Sequence, residues 1–358
     1  MTILSLDTNL NPISIIETLE SLIWTDRYRE CGDFEIYTPM NKGLLDDIKQ
    51  DYYLQSPDSE HVMIIEKLLI KTDIEDGNRL IVTGRSLESI LDRRIVWGLK
   101  TISGNLEEQV KILLDECIIN PSDKDRKIDD FIFEYSNDPV IEALKIEAQF
   151  TGDNLYDIIV SICIKFNLGF KITLNDYKQF VFKLYSGKDR SYDQTDNNYV
   201  IFSPEFDNII SSNYIESRAS SKNVTLVGGE GEGSERRYVT VGSGSGLNRR
   251  EIFTDAKDIT SDSGDGGTLS EEEYDALLQQ RGTEKLAENS EVVSFEGEAE
   301  TNTMYKYGPN EDFYIGDIIQ IADEYGHDSK ARIIEVVTSE SEDGIYVYPT
   351  FETIQEGE

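Results

Sequence analysis

The sequence predicts an α+β fold that is mainly β, with two related antiparallel β-barrel domains and α+β inserts. Three observations support this prediction: one hairpin-like segment occurs twice, apolar and polar residues alternate over long stretches, and the apolar spacing becomes helical between them. Alternation with a period of two is typical of a strand that buries one face, whereas apolar residues three and four positions apart indicate an amphipathic helix.

The repeated hairpin covers residues 64–84 and residues 333–350. Each copy opens with Ile-Ile-Glu, continues along alternating apolar residues and reaches Asp-Gly, at Asp76-Gly77 and at Asp343-Gly344. Asp-Gly between such stretches indicates a type I′ turn, which needs a positive φ at both central residues. A chain that carries one β-module twice could build a ring of higher apparent symmetry than its number of subunits. The alternative is a chance similarity between two acidic hairpins.

Residues 1–100 are predicted to form the first barrel. In residues 21–39, apolar and polar residues alternate on both sides of Gly32, as in two antiparallel strands. The first copy of the hairpin follows, and after it a short helical turn is predicted around residues 87–91.

Residues 101–207 are predicted to form a peripheral α+β domain. Its first helix has apolar residues on one face and a capping box from Asn105 and Glu108. After a second helix, residues 170–185 alternate as a hairpin.

The second barrel is predicted from two separated parts, residues 208–230 and residues 290–358, because both have β character. Between them, residues 231–289 combine a Gly-rich loop with a helical insert that Ser270 and Glu273 cap. The order along the chain is therefore barrel, insert and interrupted barrel.

The composition indicates a folded and strongly acidic protein. Its 358 residues, of which 38% are hydrophobic, are enough for two to four structural units. The 70 acidic and 34 basic residues give a formal net charge of −36. Such a surface repels nucleic-acid phosphate, which argues against a protein that reads DNA or RNA.

Cysteine use and hydropathy indicate where the protein is made. Cys31, Cys117 and Cys163 are odd in number and widely spaced, as expected of buried free thiols in a reducing cytosol. The N-terminus lacks the pattern of a signal peptide, and no apolar run reaches the roughly 20 residues that span a bilayer. The sequence therefore predicts assembly in the cytoplasm without stable membrane association.

Signatures of catalysis, metal binding and cofactor binding are lacking in the sequence. His61 and His327 are each interpreted as an ordinary loop residue, which leaves few bases for a nucleophilic triad. Neither zinc-site spacing nor phosphate-loop spacing occurs. The Asp-rich residues 258–265 leave calcium binding open, although they miss the EF-hand pattern. The prediction is no catalytic residue, no cofactor and no metal.

Arginine doublets are the candidate interface residues. They occur at Arg93-Arg94, Arg236-Arg237 and Arg249-Arg250 in a chain that is short of basic residues. A guanidinium group can bind a carboxylate through two hydrogen bonds, so the doublets are predicted to meet acidic residues of a neighbouring subunit. The alternative is local pairing within one subunit, such as Arg250 with Glu251 or Asp255.

Four segments resemble the siphophage tail-hub proteins of phages and prophages of Gram-positive bacteria. Residues 21–39 contain Trp-x-x-Arg-Tyr followed by Gly-Asp-Phe-Glu, and residues 84–96 are similar to the family's Gly-Arg-x-Leu segment. Residues 227–259 resemble its most distinctive part, and Gly316-Asp317-Ile318 with the closing hairpin resembles its C-terminal end. The segments follow the family's order along nearly the whole chain.

The resemblance implies a baseplate or tail-tip hub, like the N-terminal part of tail-associated proteins and the central hub of contractile tails. Such hubs are homotrimers in which each subunit contributes two related β-barrels of the tube type. The threefold ring then has pseudo-sixfold symmetry and can join a hexameric tail tube. The chain stops at Glu358, without the long extension that carries fibre or peptidoglycan-hydrolase modules in many relatives.

The function expected from the resemblance is structural and not enzymatic. The hub would close the tail tube and connect it to distal tip or spike proteins, at the virion tail tip or in a phage-tail-like particle. Expected partners are two further copies of the chain, the distal tail protein or tail-tube ring, the tape-measure protein, and spike or fibre proteins. DNA would be a partner only in transit, since DNA or the tape-measure protein would pass through an acidic lumen that repels DNA phosphate. A wall-degrading hydrolase and a carbohydrate- or receptor-binding module are the alternatives.

Overall fold

A computed structural model describes most of the chain, namely residues 1–16, 19–41, 43–73, 77–262, 267–299, 305–322, 325 and 328–354. The first hundred residues are almost entirely β. Their elements are β1 Ile3–Leu6, β2 Pro12–Ile16, β3 Ser21–Arg27, β4 Asp33–Pro39, α1 Leu44–Asp47, β5 Tyr53–Gln55, β6 Met63–Asp73 and β7 Gly77–Ser86. Strands β3 and β4 confirm the two strands predicted around Gly32, and the helical turn predicted after the hairpin is a 3₁₀-helix at Leu87–Arg93.

The next part alternates strands and helices. Its elements are β8 Leu99–Asn105, α2 Leu106–Leu114, β9 Phe131–Glu134, α3 Pro139–Glu142, β10 Lys145–Thr151, α4 Leu155–Phe166, β11 Gly169–Leu174 and β12 Phe180–Tyr185. The side chain of Asn105 caps α2 by accepting a hydrogen bond from the backbone N–H of Glu108. Strands β11 and β12 form the predicted hairpin, and β12 also pairs with β9 in parallel.

The last part returns to β structure and contains one long helix. Its elements are β13 Ile201–Phe202, β14 Ile209–Ser217, β15 Val224–Gly228, β16 Tyr238–Gly242, β17 Glu251–Asp255, α5 Glu271–Glu288, β18 Val292–Ala299, β19 Ile318–Ala322, β20 Asp328–Ser341 and β21 Gly344–Thr353. Ser270 and Glu273 form the predicted capping box at the start of α5.

Strand β15 does not join the strands with which the sequence grouped it. It is the central strand of a separate sheet, β16-β15-β17. Its Val227 belongs to a small core with Tyr274, Leu277 and Leu278 of α5, and this packing holds the strand in the insert.

In the part of the chain that the structure describes, thirteen strands form one large sheet. The order is β14-β18-β21-β20-β3-β4-β7-β6-β5-β1-β2, with β19 attached to β20 and β13 to β19. Within the described chain this order does not return to its first strand, so the two predicted barrels are not closed. Instead, β20 pairs with β3 and joins the strands of the two expected barrels edge to edge.

Two groups of strands within the large sheet have the same connectivity. The first module is β3-β4-β7-β6-β5, and the second module is β14-β18-β21-β20-β19. When the five strands of each module are numbered in chain order, the first pairs with the second, the second with the fifth, the fifth with the fourth and the fourth with the third. This shared connectivity agrees with the duplication that the repeated hairpin predicts.

The long hairpins of the two modules share an irregularity. Pairing of β6 with β7 shifts at Glu66, and pairing of β20 with β21 shifts at Ile334. Aligning the two bulges makes Asp73 equivalent to Ser341, and each of these residues pairs with a glycine. The repeated Ile-Ile-Glu triplets are therefore one position out of structural register.

The same alignment shows a repeat that the sequence comparison missed. Phe34 pairs with Gly84 of β7, and Phe295 pairs with Phe351 at the equivalent position of β21. Asp33-Phe34-Glu35 in β4 thus corresponds to Ser294-Phe295-Glu296 in β18.

The type I′ turn predicted at Asp343-Gly344 is wrong. Ser341 pairs with Gly344, so the loop consists of Glu342 and Asp343. Gly344 has a φ of 133°, whereas Asp343 is not among the non-glycine residues with a positive φ. In the first copy Asp76 lies outside the described residues, and Gly77 has a φ of 79°.

Separate cores lie under the two modules. Trp24 and Phe34 are buried in the first module, and Phe202 and Phe351 in the second. A third and larger core lies between α2, α4 and the β11–β12 hairpin. Alternate residues of β4, such as Glu35, remain exposed on the opposite face of the sheet. Among the described helices, none combines the length and the apolar character needed to cross a membrane.

Candidate assembly interface

The pairing of β3 with the second half of β20 shows how one module joins the other. The two strands are antiparallel, and Trp24 lies opposite Thr338. Trp24 is 1% exposed, and the Nε of Arg27 lies 2.6 Å from a carboxylate oxygen of Glu335. A junction between modules therefore uses the first strand of one module and the fourth strand, in chain order, of the other.

Strand β14 of the second module is equivalent to β3, and β6 of the first module is equivalent to β20. In the part of the chain that the structure describes, β14 ends the large sheet, and β5 pairs with β6 only near the beginning of β6. Neither strand therefore has another module beside it in this part. Leu69 and Ile70 on β6 are 39% and 49% exposed, and Tyr214 and Ile215 on β14 are 40% and 43% exposed. We call β14 and the second half of β6 the open edges. Unpaired strand edges with apolar side chains favour pairing with another chain.

Tyr28 holds the first module against two other parts of the chain. Its hydroxyl lies 3.2 Å and 3.3 Å from the backbone oxygens of Asn167 and Tyr185, to which it can donate a hydrogen bond. A Cβ atom at Gly169 would lie 2.3 Å from the ring, and one at Gly316 would lie 2.4 Å from it. Only glycine therefore allows the α+β part and the second module to approach this ring.

Asp317 links the second module to the segment that follows β12. Its Oδ2 accepts a hydrogen bond from the Nε of Arg190 at 2.6 Å, and its Oδ1 accepts one from the backbone N–H of Lys188 at 2.8 Å. Both side chains of the ion pair are buried. A buried carboxylate is tolerated only when it is paired in this way, so the pair fixes the position of this segment.

A second buried pair lies where the first module meets the β11–β12 hairpin. The Nδ1 of His61 lies 3.1 Å from the Oε1 of Glu88, and neither side chain is exposed. The same carboxylate oxygen accepts a hydrogen bond from the backbone N–H of Ile172 at 2.8 Å. His61 lies in the loop before β6, as predicted, but it is not an ordinary loop residue, because the 3₁₀-helix and the hairpin enclose it. His327 lies outside the described residues.

The charges of this pair stabilise each other. Burial favours a low pKa for His61, but the carboxylates of Glu88 and Asp26 outweigh burial and raise the pKa to about 9. Burial favours a high pKa for Glu88, but His61 and hydrogen bonds lower that pKa below its ordinary value. His61 is therefore charged at neutral pH. Since no substrate can reach the pair, we assign it a structural role.

The doublet Arg236-Arg237 has acidic partners in the same chain. Arg236 contacts Asp255 and also donates to backbone oxygens of the Gly-rich loop. The Nη2 of Arg237 lies 2.5 Å from a carboxylate oxygen of Asp275 on α5. These contacts hold β16 against β17 and α5.

The doublet Arg249-Arg250 is also held locally. The Nε of Arg249 lies 2.6 Å from Glu251, and Arg250 donates to the backbone oxygen of Arg218. Local pairing was the alternative to a subunit contact, and it does not exclude one. A role of this doublet between subunits stays a prediction.

The doublet Arg93-Arg94 differs from the other two. In the described chain neither guanidinium group forms an ion pair, and Arg94 instead donates to the backbone oxygens of Arg126 and Arg93 at 3.0 Å. This doublet is therefore the candidate with unsatisfied charge.

In the described residues, no group of three His, Cys, Asp or Glu side chains could hold a metal ion. Residues 263–266 of the Asp-rich segment lie outside them. Cys117 and Cys163 are buried, Cys31 is partly buried, and all three thiols are free.

A polar cleft of about 290 Å³ separates the β11–β12 hairpin from the second module. Two ion pairs lie in its lining, since the Nζ of Lys171 lies 2.5 Å from Glu60 and Arg190 pairs with Asp317.

A family model described as Siphovirus ReqiPepy6 Gp37-like protein matches residues 1–351. The chain belongs to this family. The first module, the insert and all of the second module except the last two residues of β21 fall within the match. The predicted resemblance to siphophage tail proteins is confirmed. None of the curated proteins matches the chain.

Solved structures of tail proteins share the fold of the Gp37-like chain. Prophage tail protein gp18 from Listeria monocytogenes EGD-e is 13% identical, with a TM-score of 0.56 over 100% of this chain and 96% of that one. The 43 kDa tail protein of prophage MuSo2 from Shewanella oneidensis is 12% identical, with a TM-score of 0.59 and 98% of each chain covered. The tail protein from Neisseria meningitidis MC58 is 10% identical, with a TM-score of 0.58 over 99% and 97%. At these identities the likeness shows the fold alone.

The Trp-x-x-Arg-Tyr motif has a structural role in the Gp37-like chain. Trp24 fills the core of the first module, Arg27 pairs with Glu335 across the junction of the modules, and Tyr28 packs against Gly169 and Gly316. The sequence singled out the motif, but its partners lie far along the chain, so their identity needed the structure.

Proposed function

We propose that the protein is the structural hub of a phage tail or phage-tail-like particle and that three copies form a ring. The open edges carry this proposal. One chain contains a complete junction between modules, β3 with β20, and half of a further junction at each end of the pair of modules. Repeating the internal junction between chains would place β14 of one chain beside β6 of the next. Three chains would then supply six modules, in agreement with the pseudo-sixfold ring expected from the resemblance.

The internal junction also sets the expected register between chains. The aligned bulges make Ile70 equivalent to Thr338, and the aligned Phe-Glu repeat makes Tyr214 equivalent to Trp24. Because Trp24 lies opposite Thr338, Tyr214 of one chain should lie opposite Ile70 of the next. Ile215 should then lie opposite Leu69. This pairing would remove four exposed apolar side chains from water.

The sheet face away from the cores would line the channel of the ring. On this face Arg27 pairs with Glu335 and Arg85 pairs with Glu66, at 2.6 Å and 2.9 Å, so part of the charge is neutralised. The acidic character of the lumen would come from the remaining carboxylates, such as that of the exposed Glu35. Their field would repel the phosphates of passing DNA and reduce adhesion.

In this role the ring would close the tail tube and bind the distal tail protein or tail-tube ring, the tape-measure protein and spike or fibre proteins. The strands of the two modules would form the ring, and residues 101–207 and 231–289 would lie mainly at its periphery. We further propose that the protein is not an enzyme, because its buried acid–base pair, His61 with Glu88, is enclosed and out of reach of a substrate. Purified protein should release no fragments from peptidoglycan, and cleavage that one carboxylate substitution abolishes would contradict this.

Paired cysteines test the ring and its register directly. Ile70→Cys with Tyr214→Cys should form disulfides between chains on oxidation, because directly opposite residues have Cα atoms roughly 4.5–5.5 Å apart, within the range of a disulfide. The product should migrate as a trimer and return to the monomer on reduction. Thr72→Cys with Tyr214→Cys is the matched control, since diagonal neighbours lie roughly 7–8 Å apart and should cross-link poorly. Equal cross-linking of both pairs, or a monomer in sedimentation, would contradict the proposal.

A further inference from the structure

Three arginines meet at the surface beyond the 3₁₀-helix of the first module. Arg93 ends this helix, Arg94 follows it, and Arg126 ends a second short 3₁₀-helix in the loop after α2. The Nε of Arg94 donates to the backbone oxygen of Arg126 at 3.0 Å, and the Nη2 of Arg126 donates to the backbone oxygen of Ile95 at 2.6 Å. We call Arg93, Arg94 and Arg126 the arginine triad.

The arginine triad has no acidic partner in the described chain, although the sequence has 70 acidic and only 34 basic residues. Asp92, next to Arg93, is held instead by Arg85 at 3.2 Å. Burial, together with the charges of Arg126 and Arg93, lowers the pKa of Arg94. Keeping like charges together costs free energy unless an anion joins them.

Two large apolar side chains beside the triad are open to solvent. Trp97 is 56% exposed and Ile95 is 45% exposed, whereas Trp24, the other of the two tryptophans in the sequence, is 1% exposed. The guanidinium carbon of Arg126 lies 4.2 Å from the centroid of the Trp97 ring, which is a cation–π contact. The exposed tryptophan and the arginines lie in the same small area of the surface. Tryptophan and arginine are residue types that dominate the centres of protein interfaces.

We propose that the arginine triad, Trp97 and Ile95 form a docking site for an acidic segment of a partner protein, in which a few carboxylates flank an apolar side chain. Backbone oxygens already orient Arg94 and Arg126, so their remaining N–H groups can bind carboxylates without further ordering. The apolar side chain of the segment covers Trp97. The site is complementary in charge to such a segment, and this gives specificity in a chain that otherwise repels acidic partners.

Two other occupants fit less well. Nucleic acid is a polyanion, and the net charge of −36 repels it beyond the short reach of the triad. The next chain of the proposed ring would lie along the open edge of β6. By the register given above, the strand pairing with the next chain ends near Lys67, which pairs with Thr83 of β7. The triad follows only after β7 has ended at Ser86 and the 3₁₀-helix has intervened, so it lies outside that strand pairing.

Trp97 provides a direct readout of binding. The full chain is titrated with a short peptide in which four glutamates flank one phenylalanine and which contains no tryptophan, while tryptophan emission is recorded. We expect emission to shift to shorter wavelength as Trp97 leaves water, and we expect affinity to fall as salt is raised. Trp24 is already buried and should contribute a constant signal. Arg93→Gln with Arg94→Gln should weaken binding roughly tenfold or more.

A matched control separates this site from general charge. Lys183→Gln with Lys285→Gln removes the same number of charges from side chains that already have carboxylate partners, Glu134 and Glu288, and affinity should not change. Arg93→Gln alone removes an exposed side chain, so it serves as the test if the double variant does not fold, and it should weaken binding roughly threefold. A peptide with glutamines in place of the glutamates should not bind. The proposal is overturned if the original chain gives no shift, if triad and control variants bind alike, or if a single-stranded oligonucleotide of equal charge binds more tightly.

Discussion

Several single residues join parts of the chain that are far apart in sequence. Tyr28 packs against Gly169 and Gly316, Arg190 pairs with Asp317, and His61 pairs with Glu88. A buried ion pair is weak evidence for stability by itself, but removing one member leaves an uncompensated charge. These residues therefore hold the two modules and the α+β part in one arrangement.

Glu88→Gln should lower the free energy of unfolding by on the order of 3 kcal/mol near pH 6, because it leaves buried His61 without its partner. The folded-state pKa of His61, about 9, lies above its ordinary value of 6.5. The ion pair therefore contributes fully below about pH 6.5, and its contribution disappears as the pH rises through about 9. The pKa of Glu88 is lowered, so its contribution is present above the ordinary value of 4.5 and is lost as the pH falls.

Urea unfolding of the original protein and of the Glu88→Gln variant between about pH 6 and about pH 9.5 measures their difference in the free energy of unfolding. This difference should become smaller as the pH rises, and a constant difference would contradict a charged His61. Glu205→Gln is a suitable control because Glu205 is exposed. It should change stability by less than about 0.5 kcal/mol.

Arg249→Ala with Arg250→Ala should weaken trimer formation while each subunit stays folded. The contact of Arg249 with Glu251 is exposed, so it contributes less than about 1 kcal/mol within one chain. A larger loss in the free energy of trimer formation would therefore indicate contacts of these arginines with a neighbouring subunit. Sedimentation at dilute concentration and raised salt measures it, and an unchanged trimer would assign this doublet to local pairing alone.

Among the strands, β6 and β14 differ from their equivalents in what covers them. The second half of β20 lies beside β3, whereas the second half of β6 is exposed at Leu69 and Ile70. The difference follows from position in the chain, because a module at the end of a series has no further module to pair with. The open edges are thus what a duplicated module would leave at the two ends of one chain.

Ile70→Lys should raise the dissociation constant of the trimer roughly tenfold or more, since a lysine on a strand edge opposes pairing with another chain. The monomer should unfold much as before, because Ile70 is already 49% exposed. Ile112→Lys makes the same change at a residue of α2 that is 36% exposed. It should leave assembly intact. Equal effects of the two changes on sedimentation would contradict a role for the open edge.

For the whole molecule, repulsion between negative charges would be the main force opposing assembly of the proposed ring. Three chains carry about 108 negative charges, three times the 36 of one chain. The trimer should have a mass of about 122 kDa, three times 40.7 kDa. It should become tighter as ionic strength rises from about 0.01 M to about 0.15 M, because salt screens repulsion between the subunits. Sedimentation equilibrium tests this, and dissociation over the same range would show that ion pairs between subunits dominate.

The candidate interface could be predicted only in part. The doublets were identified from charge alone, and the structure then separated Arg93-Arg94, which has no acidic partner in the described chain, from the two doublets that are held locally. The open edges could not be identified from sequence, because Leu69 and Ile70 have the apolar character of covered strand residues. Their exposure depends on which strand lies beside them.

The sequence by itself determined features that depend on neighbours a few residues away. The capping box of Ser270 and Glu273, the cap at Asn105 and the strands around Gly32 are such features. It also determined membership of the family, because motifs survive as short strings of residues.

Only the tertiary structure decided which strands meet and which charges are enclosed. Trp24 and Thr338 are opposite each other although more than three hundred residues separate them, and no local pattern encodes that pairing. The sequence did not indicate that the loop residue His61 is buried, because its burial comes from the approach of Glu88 and Ile172, both distant in the chain. Local hydrogen bonds and periodicity fix individual elements, whereas packing between distant surfaces fixes their arrangement, and this protein presents its candidate interface through that arrangement.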